Sequence, residues 1–122
     1  MAAARRGDID AATEVVVDLV GEDWDNAEAH RAWGCVLLAK GKPSDAVGAF
    51  RAAVQIEPRR AELHFDLGTA LLAEADQSPF LQLSNWIDAQ EAITKGLTIS
   101  PWSETGLELQ KQLEAKRSQA LI

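Results

Sequence analysis

The sequence predicts an all-α protein built from short helical hairpins, and three observations indicate that class. Helix-forming residues such as Ala, Leu, Glu and Gln dominate the chain, which has only 4 prolines and 8 glycines among 122 residues. Apolar residues recur at helical rather than strand spacing. The sequence also matches itself at a step of 34 residues, which is typical of stacked helical repeats.

The 34-residue step aligns the positions that a packed helical hairpin needs. His30 matches His64, Gly34 matches Gly68, Leu37 matches Leu71, and Ala27 and Glu28 match Ala61 and Glu62. The small Gly34 lies beside Trp33 on the apolar face of a helix, where it lets a neighbouring helix approach. Gly41 is expected to end this helix, and Pro43 is expected to begin the second one.

The second helix of the unit has its own apolar stripe, and the whole unit resembles a known repeat. The stripe consists of Ala46, Val47, Phe50, Ala53 and Val54, and Pro58 closes the unit. The run His30-x-x-Trp33-Gly34-x-x-Leu37, followed by Ala46-x-x-x-Phe50, Ala53 and Pro58, resembles the tetratricopeptide repeat (TPR) pattern. This resemblance implies a single domain over residues 1–122, a short right-handed α-solenoid of helix–turn–helix repeats with a C-terminal capping helix.

On this resemblance the chain divides into four segments. Residues 7–26 are expected to form half of a preceding repeat, residues 27–60 a full repeat, residues 61–101 a second repeat, and residues 102–122 a capping helix. Pro101 lies 43 residues after Pro58, so the second repeat contains nine inserted residues, at about 76–86. Because Ser78 and Pro79 form a helix start signal, the insertion is predicted to lengthen the second helix by roughly two turns. The capping helix is expected to place Trp102, Leu109, Leu113 and Ala120 on one side.

The inserted residues carry an apolar group for which the sequence leaves two roles open. Its members are Phe80, Leu81, Leu83 and Trp86. They either form an exposed contact patch for a partner or fold back over the hairpin and complete the core. Trp86 is expected to face outward.

Charge and composition exclude several classes of partner. Twelve basic against 19 acidic side chains give a net charge of −7, and no basic cluster exceeds two residues. Nucleic-acid binding, which requires clustered Lys and Arg, is therefore not expected. Neither a membrane-spanning segment nor a signal peptide is visible, so a cytoplasmic location is predicted.

No residue pattern indicates catalysis, a metal or a cofactor, and the chain is predicted not to be an enzyme. His30 and His64 occupy equivalent positions, but a zinc site needs three or four converging ligands. Both imidazoles are therefore expected to pack inside the hairpins. The single cysteine, Cys35, excludes an internal disulfide. No nucleophile–base motif or phosphate-binding glycine loop is present.

The resemblance implies that a partner peptide or helix binds in a concave groove lined by the first helices of successive repeats. The positions that carry over are Glu28, Arg31, Cys35 and Leu38 from one helix, and Glu62, Phe65, Asp66, Thr69 and Leu72 from the next. Arg31 is expected to lie beside Glu62 and Asp66. A clamp for a chaperone's C-terminal carboxylate is not expected, because two of the four clamp positions are acidic.

Three functions follow as alternatives. The first is a module that binds a protein or peptide partner in this groove and is itself a monomer. The second is a structural segment that self-associates or docks through the inserted residues around Phe80 and Trp86. The third is an accessory domain of a larger enzyme.

Overall fold

The computed structural model describes residues 26–120, and this part of the chain forms five α-helices and no strand. The helices are α1 (Ala27–Ala39), α2 (Pro43–Ile56), α3 (Ala61–Gln77), α4 (Gln82–Ile99) and α5 (Glu104–Ala120). The prediction of an all-α protein is confirmed for these residues. The half repeat expected over residues 7–26 lies outside the described residues, except for Asn26.

Local signals set the ends of the first helix and the start of the second. The Asn26 side-chain oxygen accepts hydrogen bonds from the backbone N–H groups of Glu28 (2.9 Å) and Ala29 (3.2 Å), which caps α1. Gly41, with φ of 75°, adopts the left-handed conformation that ends many helices. Pro43 then occupies the first position of α2, where no backbone N–H is needed.

The helices pack mainly on their neighbours in the chain and enclose a main core, beside a smaller cluster of Ala27, Ala53 and Leu63. Helix α1 contacts α2, α2 contacts α3, α3 contacts α4, and α4 contacts α5, while α3 also contacts both α1 and α5. Fully buried side chains from four helices meet in this core: Phe50, Leu71, Ile93 and Leu113. Their burial supplies the main free energy that holds the helices together.

The two hairpins repeat the same internal contact. A Cβ atom placed on Gly34 would lie 2.6 Å from the Phe50 ring, and one on Gly68 would lie 3.2 Å from the Ile93 side chain. Each glycine therefore allows the two helices of its hairpin to approach closely, as predicted for Gly34. His30 and His64 are both buried at 5% exposure, which confirms that the imidazoles pack inside.

The nine inserted residues are divided between both helices of the second hairpin. Helix α3 has 17 residues where α1 has 13, and α4 has 18 where α2 has 14. The ninth residue lies in the connecting loop. The prediction that the second helix alone gains two turns is wrong, because residues 78–81 form a turn and α4 begins only at Gln82. The hairpin is instead longer by about one turn on each helix.

The last helix differs from its prediction at its start. Trp102 lies in the turn before α5 and is 88% exposed, so it does not pack with the helix. Leu109 and Leu113 are buried as expected, whereas Ala120 is exposed. Gly106, which the sequence did not single out, is buried where α5 meets α3.

Candidate interaction surface

Arg31 joins α1 to α3 through a group of carboxylates. Its Nε donates a hydrogen bond to the Asp66 carboxylate at 2.7 Å, and its guanidinium also lies 3.4 Å from Glu62 and 3.5 Å from Glu28. The prediction that Arg31 lies beside Glu62 and Asp66 is confirmed. The side chain of Arg31 is 29% exposed, so its charged end is largely enclosed by these acids.

Arg60, in the loop between α2 and α3, extends this arrangement. It donates to Glu28 at 2.7 Å, to Glu57 at 3.2 Å and to Glu62 at 3.3 Å. Glu28 and Glu62 therefore each contact both arginines. We call the six side chains the Arg31–Arg60 network: Glu28, Arg31, Glu57, Arg60, Glu62 and Asp66. Arg60 and Glu57 were not predicted from the sequence, although their spacing of three residues is one at which side chains pair.

The carboxyl groups of Glu28 and Asp66 have pKa values shifted in opposite directions. The hydrogen bond from Arg60 lowers the pKa of Glu28 below its ordinary value of 4.5. Burial raises the pKa of Asp66 above its ordinary value of 3.8, and this effect exceeds the opposing hydrogen bond from Arg31. Glu28 therefore stabilises the fold above its unfolded pKa and loses that contribution as pH falls. For Asp66 the stabilising contribution is present below about 3.8 and is lost as pH rises through its folded pKa.

Substituting each arginine should change the pKa of a different carboxyl group. We expect Arg31→Gln to raise the pKa of Asp66 further, because it removes the hydrogen bond that holds this value down. Arg60→Gln serves as the matched variant and should act mainly on Glu28, raising its pKa towards the ordinary value. Carboxyl-carbon NMR titration of both variants measures the two shifts. An unchanged Asp66 titration in Arg31→Gln would contradict the assigned pairing.

A hollow of about 200 Å³ lies beside the network, at the junction of α3 with the α4–α5 loop. Its walls include the carboxylates of Glu62 and Asp66, and Arg31 also borders it. Three hydroxyl side chains complete the polar lining: Ser100, Ser103 and Thr105. The hollow is large enough for several water molecules or for the end of a long side chain. It was not predicted, because it depends on how the α4–α5 loop folds over α3.

Two predicted groove residues belong to the core instead. Phe65 is 3% exposed, and its ring lies against Gly96 of α4 and Gly106 of α5. Leu72 is 4% exposed and packs in the same core. Both predictions are corrected, because α4 and α5 close over Phe65 and because Leu72 packs within the core.

The other predicted groove positions lie at or near the surface. Cys35 and Thr69 are exposed, and Leu38 is half-buried. The Thr69 hydroxyl donates to the Phe65 carbonyl at 2.9 Å. Although Cys35 reaches the surface, nearby protein atoms partly desolvate it, and this desolvation raises the pKa of its thiol. The thiol is thus not activated as a nucleophile.

The inserted residues are split between surface and core. Phe80 is fully exposed, and Leu83 and Leu81 are 69% and 42% exposed. Ile87, one turn after Leu83, is 56% exposed and extends the same surface. Trp86 is only 7% exposed and packs with the core, so its predicted outward orientation is wrong. We call the four exposed side chains the α4 patch: Phe80, Leu81, Leu83 and Ile87.

Phe80 should contribute little to stability. We expect Phe80→Ala to change the free energy of unfolding by less than about 0.5 kcal/mol, because an exposed ring loses no packing. Leu83 is also exposed, so Leu83→Ala should change the free energy of unfolding equally little. Urea denaturation of both variants checks this. A loss above about 2 kcal/mol would show that the α4 patch is covered in the folded protein.

A second, more apolar hollow lies on the first hairpin. Its volume is about 500 Å³, and Trp33, Leu37 and Ala49 form much of its wall. Lys40 and Lys42 stand at this hollow as well. This surface belongs to α1, α2 and the loop that joins them.

Within residues 26–120, no group of three or more His, Cys, Asp or Glu side chains is placed to hold a metal ion. Helices of the length and apolar character that crossing a bilayer requires are also absent from this part of the chain. No protein-family model matches the sequence, and no curated protein matches it in a sequence search.

Proposed function

We propose that this chain is a protein-interaction module of the TPR type, which binds a peptide or helix of a partner across the exposed face of α1 and α3. One observation carries the proposal. Neighbouring side chains of these two helices share one face, where Arg31 of α1 pairs with Glu62 and Asp66 of α3 at 3.4 and 2.7 Å. A paired set of polar side chains on adjacent helices suits recognition of an extended partner.

Equivalence of the two hairpins supports the repeat architecture on which this proposal depends. Buried side chains occupy matching positions, with Leu37 corresponding to Leu71 and Phe50 to Ile93. The contacts of α3 with both α1 and α5 are those expected when the first helices of successive repeats lie side by side. We propose a short α-solenoid closed by α5, with a non-catalytic role in the cytoplasm.

The test uses bulky substitutions that leave the core intact. Cys35→Arg combined with Thr69→Arg places two large cations on the proposed face, where both residues are exposed. Gln55→Arg combined with Thr94→Arg adds the same charge at exposed positions of α2 and α4. In affinity capture from source lysate, we expect the first variant to lose a partner that the wild type and the control variant both retain. Retention by the first variant would refute the proposed face.

The α4 patch supports a second candidate, which is self-association or docking through α4. Four neighbouring large apolar side chains are exposed there, and contiguous surface of this kind usually marks a contact. Sedimentation velocity of the wild type and of Phe80→Ser, Leu83→Ser tests it. A dimer that dissociates in the variant would favour this candidate, and a wild-type monomer would exclude self-association through the patch.

A further inference from the structure

The Arg31–Arg60 network has more negative than positive charge, and three of its four carboxylates face the solvent, whereas the Asp66 side chain is only 23% exposed. It contains four carboxylates and two guanidinium groups. The side chains of Glu28, Glu62 and Glu57 are 59%, 57% and 49% exposed. Those of Arg31 and Arg60 are only 29% and 30% exposed. A partner approaching this face therefore meets carboxylate oxygens before it meets guanidinium groups.

The hollow beside the network is also lined by groups that favour a positively charged side chain. The hydroxyl oxygens of Ser100 and Thr105 can accept hydrogen bonds, as can the carboxylates of Glu62 and Asp66. The Ser103 hydroxyl already accepts one from the Gly106 backbone N–H at 3.2 Å. Arg31 is the cation at this hollow, and its donors already serve Asp66, Glu62 and Glu28. An incoming ammonium or guanidinium group would find charged and neutral acceptors together, which strengthens such hydrogen bonds.

We propose that the partner is a basic segment, which places a Lys or Arg side chain in this hollow and further basic residues along the face of α1 and α3. The inference rests on the proposed function and adds the chemical class of the partner. Charge complementarity supports a basic partner, because the network retains two uncompensated negative charges. Its own two cations already pair with its carboxylates. An acidic segment would instead meet exposed Glu28, Glu57 and Glu62.

The experiment titrates the full chain, labelled with ¹⁵N, with a hexa-arginine peptide whose ends are blocked, and uses hexa-glutamate as the control peptide. Seven carboxylates lie within residues 8–25, so total binding is not diagnostic and the signals of individual residues are followed. We expect shifts at residues 62–66 and 100–105 with hexa-arginine only. Raising the salt concentration should weaken this binding, because the groups involved are partly exposed.

Paired substitutions separate specific from general attraction. Glu62→Gln with Asp66→Asn removes two negative charges at the hollow, and the amides keep acceptor oxygens for Arg31. Asp88→Asn with Glu91→Gln removes the same charge from α4, where these carboxylates pair with Arg51 and Lys95. We expect the first pair to weaken binding about ten-fold and the second by less than about two-fold.

Three results would overturn the proposal: no shift at the hollow, equal weakening by both pairs, or equal binding of hexa-glutamate. Such a failure is distinguishable from failure of the proposed function. If the captured partner is still lost in Cys35→Arg, Thr69→Arg, the face binds a partner of another chemical class. If that variant retains its partner, the proposed function itself is wrong.

Discussion

Phe65→Ala is expected to lower the free energy of unfolding by about 3–5 kcal/mol. The ring is 3% exposed and fills the space where α4 and α5 approach α3. A Cβ atom on Gly106 would lie 2.6 Å from this ring, so the two helices leave no room beside it. Removal of the ring leaves a cavity that rigid helices close only partly. Urea denaturation followed by circular dichroism measures the loss.

A double-mutant cycle tests the contact behind this expectation. Gly106→Ala should destabilise the wild type, because its Cβ would overlap the Phe65 ring. The same substitution should cost less in the Phe65→Ala background, where the ring is gone and only the Leu97 side chain, 2.7 Å from the Cβ position, remains close. The coupling free energy between the two positions is therefore expected to be about 1 kcal/mol or more. Independent, additive effects would contradict the packing described for α5.

Gly34→Leu is expected to have the second large effect, a loss of about 3 kcal/mol. A Cβ atom at this position would lie 2.6–2.8 Å from three atoms of the Phe50 ring, which is itself fully buried. Neither side chain can move away without separating α1 from α2. Thermal denaturation of the variant measures the cost.

Gly48 supplies the control, because it is an exposed helical glycine. A Cβ atom there would meet no atom within 4 Å. Gly48→Ala should raise stability by up to about 1 kcal/mol, through the lower helix propensity of glycine. Gly34→Leu and Gly48→Ala are thus expected to change the free energy of unfolding in opposite directions. A wild-type melting temperature in Gly34→Leu would contradict the close approach of α1 and α2.

The sequence predicted the features that depend on a single hairpin. Gly41 and Pro43 marked the turn between α1 and α2, and Gly34 marked the close approach of these helices. Such features follow from the backbone preferences of glycine and proline and from helical periodicity. They need no knowledge of how one hairpin packs on the next.

The errors concern contacts between hairpins. Phe65 and Arg31 occupy equivalent repeat positions, yet one is buried and the other is half-buried in an ion-pair network. The difference arises because Gly106 lets α5 approach Phe65. Periodicity within a helix indicates its apolar face but not which neighbour covers it.

The insertion was misjudged for a related reason. A start signal at Ser78 and Pro79 favoured a long second helix, whereas the structure extends both helices and buries Trp86 between them and α5. The Asn85 side chain donates to Glu74 at 2.7 Å and thereby joins the two extended ends. This tertiary contact is not visible in the local sequence.

Site-specific photo-crosslinking tests whether a partner binds across α1 and α3. A photoreactive phenylalanine analogue replaces Thr69, exposed on α3, or Thr94, exposed on α4, in otherwise unchanged protein. We expect the captured partner to crosslink through position 69 and not through position 94. Crosslinking through position 94 alone would contradict it and would place the working surface on α4.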